Sequence, residues 1–100
     1  MTSPGAAADQ RSLTRRMKIV NKRGLHARAS ARFVETAGAF DAAIEVEKDG
    51  VTVGGTSIMG LMMLAASPGC SITVRARGAD AKQALDALAD LVAARFGEEH

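Results

Sequence analysis

A chain of 100 residues, 47% hydrophobic and carrying a net charge of +2, fits one domain with one modest core and leaves no room for a second domain of ordinary size. No apolar run approaches the roughly 20 residues of a membrane helix. One cysteine, Cys70, and two histidines, His26 and His100, offer neither a disulfide nor a metal-ligand cluster, so neither a metal nor a cofactor is expected. The charge is uneven: residues 1–32 hold eight Lys/Arg and one acid, a local +7, and residues 33–100 hold five and ten, a local −5. Such a field attracts phosphate and acidic protein surfaces. With no Trp or Tyr, and none of its three Phe inside the basic stretch, the chain has no stacking platform, so nucleic acid is not an expected partner.

Residues 1–12, with Pro4, Gly5 and an alanine run, are expected to form a flexible leader ahead of a domain over 13–100. They lack the hydrophobic stretch of a signal peptide, which points to a cytoplasmic protein. A strand is expected over Leu13–Val20, around Met17, Ile19 and Val20, followed by a turn over Asn21–Leu25 with Gly24 as its permissive residue. Ala29, Phe33 and Ala37 recur at four-residue spacing beside Val34, which predicts a helix that Gly38 stops. Ile44 and Val46 alternate with Glu45 and Glu47, Asp49-Gly50 turns the chain, and Val51 and Val53 lead back, a hairpin with one wet face.

After Gly54-Gly55, Thr56 or Ser57 is placed to cap a short helix over Ile58–Ala66, which Ser67-Pro68-Gly69 ends. A strand is expected over Cys70–Arg77, where Cys70 would be buried and chemically quiet. Asp80 then caps a last helix with Leu85, Leu88, Val92 and Phe96 on one face. The order β-α-β-β-α-β-α, with polar residues at alternate strand positions, predicts an α+β fold, an antiparallel sheet with its helices on one face.

His26 is the residue with chemistry to offer. It stands where a glycine-terminated turn meets the start of a helix, in the run Lys22-Arg23-Gly24-Leu25-His26-Ala27-Arg28. A helix N-terminus presents unpaired N–H groups and a partial positive charge, so an anion is stabilised there. An imidazole with an ordinary pKa near ~6.5 keeps, at neutral pH, a lone pair able to attack phosphorus. No G-x-S-x-G turn, Walker loop or dinucleotide loop is present to suggest other chemistry.

With Gly24-Leu25-His26-Ala27-Arg28 followed by Ser57-Ile58-Met59-Gly60-Leu61-Met62, the chain resembles the HPr family, histidine phosphocarriers of the bacterial phosphotransferase system, over roughly residues 15–97. The resemblance implies an open-faced β-sandwich, a four-stranded sheet with three helices on one face. It implies no enzyme in its own right: His26 takes a phosphoryl group at Nδ1 from enzyme I and passes it to enzyme IIA components, with the N–H groups of Ala27 and Arg28 and the Arg28 guanidinium as its donors. Ser57 matches a serine that HPr kinase/phosphorylase modifies in some members, and its place before a short helix equally suits a cap. Ile58, Met59 and Met62 match the family's exposed docking patch, whereas Leu61 and Leu64 suit the core.

The family's usual proline is replaced by Ala29, as in members similar to the nitrogen or regulatory branches. A monomer is expected for a one-site carrier. The competing reading is a non-catalytic regulatory docking module of the nitrogen-related branch, in which His26 is only one member of a basic patch. A carrier would need a free, exposed His26 ring, and the module would not.

Overall fold

The structure is a computed structural model that describes residues 12–98. Its elements are β1 (Ser12–Lys18), α1 (Ala27–Gly38), β2 (Ala43–Lys48), β3 (Val51–Gly54), α2 (Ile58–Met63), β4 (Ser71–Arg77) and α3 (Ala81–Ala93), followed by a single turn, Arg95–Gly97. The strands form one antiparallel sheet in the order β1-β4-β2-β3. Period-two alternation makes one face of this sheet apolar: Ile72, Val74 and Ala76 of β4 are buried beside Met17 of β1 and Ile44 and Val46 of β2. The helices cover that face, α1 through Ala29, Phe33 and Ala37 and α3 through Ala84, Leu85, Leu88 and Val92. This is the expected α+β open-faced sandwich with three helices on one side.

The opposite face is polar. Arg75 on β4 reaches Glu47 at 2.9 Å and Glu45 at 3.6 Å on the neighbouring β2. At the hairpin tip Asp49 and Gly50 have φ of 52° and 82°, the paired positive values that match the right-handed twist of the flanking strands.

The boundaries depart from expectation where tertiary contacts overrule local pattern. β1 takes in Ser12, assigned above to the leader, and residues 1–11 lie outside the described residues. It stops at Lys18, yet Ile19 keeps ladder-like bonds, donating to the Cys70 carbonyl at 2.8 Å and accepting from Gly69 N–H at 2.8 Å. Cys70 belongs to the preceding turn, its N–H donating to Ser67 at 3.0 Å, so the strand expected from it begins at Ser71. Its thiol is half-buried and lies 3.4 Å from the Ser67 hydroxyl, which lowers its pKa. The expectation of a buried, inert strand cysteine is therefore corrected.

α2 ends at Met63, three residues early, because Ala65 adopts a left-handed φ of 52°. That reversal is the step before the Ala66 carbonyl, which accepts the Leu25 N–H at 2.9 Å. Asp80 occupies the N-cap position of α3 without capping it, since its carboxylate accepts the Asp41 N–H at 2.8 Å. Phe96 is fully buried as expected, but from the turn beyond α3 rather than from the helix face.

Gly24 has a positive φ of 66°, and a Cβ there would come 2.3 Å from the Ala66 carbonyl oxygen. Gly24→Ala is expected to cost about 3 kcal/mol from the left-handed backbone and the overlap together. Chemical denaturation checks this, and a loss under about 1 kcal/mol would show that the loop relaxes freely.

Candidate functional site

The loop between β1 and α1 is folded by its own side chains before it reaches His26. Gly24 N–H donates to the Asn21 carbonyl at 3.3 Å, and Asn21 Nδ2 donates back to the Gly24 carbonyl at 2.8 Å. Leu25 is buried and tied to Ala66, and the buried Ser30 hydroxyl donates to the Leu25 carbonyl at 3.3 Å. The chain therefore enters α1 in one geometry, with His26 as its extended N-cap residue and the His26 carbonyl accepting the Ser30 N–H at 2.9 Å.

Both nitrogens of the His26 ring have partners. Arg28 N–H approaches Nδ1 at 3.3 Å, and Nε2 lies 2.5 Å from the Glu98 carboxylate. A backbone N–H can only donate and an ionised carboxylate can only accept, so the two contacts select the same tautomer, with the proton on Nε2 and the lone pair on Nδ1. That lone pair faces the first turn of α1, where the N–H groups have no intrahelical acceptor. Ala27 and Arg28, the expected phosphate-binding residues, form this turn and are exposed.

The ring is not the free, exposed group that the carrier reading anticipated. The His26 side chain is 16% exposed and that of Glu98 is 17% exposed, each covering the other. Glu98 also accepts from Asn21 Nδ2 at 3.1 Å. Burial pushes the Glu98 carboxyl up, but the hydrogen bonds from His26 and Asn21, together with the electrostatic pull of the His26 ring and of Arg23, outweigh it and hold the group below its ordinary value.

Neither Glu98 nor Asn21 was found by the sequence reading. They lie 72 residues after His26 and five before it, and no motif links them to it. The available signal was Phe96-Gly97: a large apolar residue followed by glycine, just past the last helical position, brings the chain back into the core.

Ser57 caps α2, its hydroxyl accepting the Gly60 N–H at 2.9 Å. Ile58, Met59 and Met62 are exposed, while Leu61 and Leu64 are buried. Met63, 76% exposed, belongs with the exposed group and was not singled out from sequence. α1 packs against α2, so the helix that carries His26 and the helix that carries the methionines form one surface layer. Among the described residues no group of three or more His, Cys, Asp or Glu side chains is placed to hold a metal ion, and no helix is long and apolar enough to cross a membrane.

His26 thus caps the first helix of an open-faced sandwich with Nδ1 turned to the helix N-terminus, a place where an anion is stabilised. The family described as "PTS HPr component phosphorylation site" matches residues 13–94. The chain is 48% identical over 86 residues to phosphocarrier protein HPr of Cupriavidus necator, covering 86% of this chain and 97% of that one. It is 42% identical over 86 residues to phosphocarrier protein NPr of Shewanella violacea, covering 86% and 94%. The crystal structure of HPr-C-His from Thermoanaerobacter tengcongensis superposes with a TM-score of 0.81 at 46% identity, covering 90% of this chain and 99% of that one. The chain belongs to the HPr family of phosphocarriers of the phosphotransferase system.

Because the Glu98 value is depressed, the stability it contributes is present above the ordinary carboxyl value of 4.5 and is lost as the pH falls below it through the depressed value. Glu98→Gln is expected to lower stability at pH 7 by about 1–2 kcal/mol, as for a charge-assisted hydrogen bond. Denaturation across the acid range checks this: the gap to the wild-type protein should narrow as the pH falls below the ordinary carboxyl value.

Proposed function

We propose that His26 is covalently phosphorylated at Nδ1, receiving the group from phospho-enzyme I and passing it to enzyme IIA components, so that the protein is a carrier and not an enzyme. The observation that carries this reading is the pair of ring contacts, Arg28 N–H on Nδ1 and the Glu98 carboxylate on Nε2, which together leave the Nδ1 lone pair facing the N-terminal turn of α1. Attack by Nδ1 places three phosphoryl oxygens beside the Ala27 and Arg28 N–H groups, with the exposed Arg28 guanidinium within the same turn. Fixed donors of this kind lower the barrier by meeting charge as it spreads over the oxygens, and a docked partner completes the in-line geometry. Ala27 and Arg28 are exposed, which suits donors to a group that must be both received and released.

Ile58, Met59 and Met62 form the docking surface for enzyme I and the IIA proteins, since unbranched methionine adapts to partners of different shape. Ser57, at the head of that surface, is a regulatory phosphorylation site for an HPr kinase/phosphorylase. Its hydroxyl already caps Gly60, and a phosphate there would add nearly two negative charges beside the docking residues. The protein acts as a cytoplasmic monomer. The nitrogen or regulatory branch is supported by Ala29, where the family usually has proline, and by the likeness to a relative named NPr.

Incubation with enzyme I, phosphoenolpyruvate and magnesium, followed by intact-mass spectrometry, is expected to add one acid-labile phosphoryl group that is absent from His26→Ala. No adduct with an active cognate enzyme I would favour the docking-module reading. Arg28→Ala is expected to slow transfer on the order of tenfold or more. Arg16→Ala, on the open sheet face, should change mainly the salt dependence. Arg15 is a poorer control than its charge suggests, because it is tied to Asp86 at 2.7 Å. Ser57→Asp should slow acceptance at His26 without loss of fold, and transfer at the wild-type rate would count against the regulatory role.

A further inference from the structure

Glu98 is delivered to the His26 ring by an unusual piece of backbone. Arg95, Phe96 and Gly97 have successive φ values of 59°, 56° and 81°, and the left-handed region costs about 1–2 kcal/mol for each non-glycine residue. The turn persists because Phe96 is fully buried at its centre and because both carboxylate oxygens of Glu98 are used, Oε1 by Asn21 Nδ2 at 3.1 Å and Oε2 by His26 Nε2 at 2.5 Å. Asn21 is itself fully buried and held to the Gly24 carbonyl, so the acid sits in a defined position rather than at the end of a free tail.

We propose that Glu98 is a positioning residue for phosphoryl transfer: its carboxylate keeps the proton on Nε2 of His26, which makes Nδ1 the nucleophile and lets the ring depart as neutral imidazole. The proposal rests on the reading of His26 as phosphoryl acceptor. On loading, the Nδ1 lone pair forms the N–P bond while the donor's bond to phosphorus breaks and its electron pair leaves with the donor. The ring is then a cation that retains Nε2–H, and the Glu98 carboxylate lies against that charge. On release, the acceptor's lone pair forms the new bond to phosphorus and the Nδ1–P electrons return to Nδ1, leaving the starting tautomer. No proton moves in either direction. Without the carboxylate, the loaded ring would lack the acceptor that holds its Nε2 proton, and departure without that proton would make the leaving group the far more basic imidazolate.

Among the described residues, the charged groups near the ring are Glu98, Arg28 in the first turn of α1, Arg23, whose charge acts on Glu98, and Arg32, which lies beside Gly97. α2 and residues 64–69 contain no ionisable side chain. A pH response lost in Glu98→Gln and restored in Glu98→Asp therefore reports on this carboxylate.

The test loads the full chain chemically with phosphoramidate, in a His100→Ala background so that His26 is the only imidazole. Phosphorus NMR then reads which ring nitrogen carries the group. The parent is expected to give the Nδ1-linked product. Glu98→Gln and Glu98→Ala should raise the Nε2-linked fraction on the order of tenfold and slow hydrolysis of the Nδ1-linked form at pH 8 by a similar factor, the ratio for one charge-assisted hydrogen bond. Glu98→Asp, which keeps the charge, should restore part of both. Linkage and lifetime unchanged in folded Gln and Ala variants would overturn the proposal. The failure of the carrier reading looks different: phospho-enzyme I would not load the parent, while the linkage after chemical loading would still follow Glu98.

Discussion

The structure depends on one close approach, that of the Gly24–Leu25 backbone to the Ala66 carbonyl. Leu25 N–H donates to that oxygen at 2.9 Å, and a Cβ on Gly24 would stand 2.3 Å from it. With the loop held this close, Leu25 is buried and His26 is extended at the mouth of α1. The same contact draws in the segment after α2, where Ala65 takes a left-handed conformation before Ala66. One hydrogen bond thus connects the helix that carries the reactive imidazole to the one that carries the exposed methionines. Two surfaces separated by about thirty residues of chain are brought into one layer by this backbone contact together with the shared core of Leu25, Ala29, Phe33, Leu61 and Leu64.

Around this scaffold the electrostatics are arranged on two scales. The basic N-terminal third supplies a broad positive field, most of it on exposed side chains that salt will screen. Within hydrogen-bond distance of the ring the sign is reversed, because the nearest full charge on the Nε2 side is the Glu98 carboxylate. The distant field favours the approach of phosphate and acidic partners. The local carboxylate decides the protonation of the ring they meet. A long-range attraction and a short-range bias of opposite sign are compatible because Glu98 lies on Nε2 and the helix amides lie on the Nδ1 side.

The exposed apolar residues fit the same economy. Met59 is 74% exposed on a helix whose Leu61 is fully buried, so α2 keeps one anchor in the core and turns its remaining bulk outward. A six-residue helix has little intrinsic stability. It is held by the Ser57 cap at one end and by the reversal at Ala65 at the other. A charge placed at Ser57 would therefore stand at the cap of α2 and beside its exposed surface at once, while Leu61 keeps the helix anchored in the core.

Much of this was legible in the amino-acid order alone. Strict alternation in Ile44–Val46 and Ile72–Ala76, the four-residue spacing of Ala29, Phe33 and Ala37, and the Asp49-Gly50 turn determined the element order and the apolar face, because side-chain direction in a strand or helix follows directly from position. His26 stood out because anion binding at a helix start is local chemistry, and Ser57 was one of two candidate caps, whereas the roles of Arg28 and Ser57 came from the family resemblance. Tertiary structure decided what depends on contacts between distant segments: the early end of α2, the diversion of Asp80 to Asp41, the place of Cys70 in a turn, and above all the pairing of His26 with Glu98. Those are choices among competing hydrogen-bond partners, and an acid 72 residues away becomes a partner only once the buried Phe96 has turned the chain back to the site.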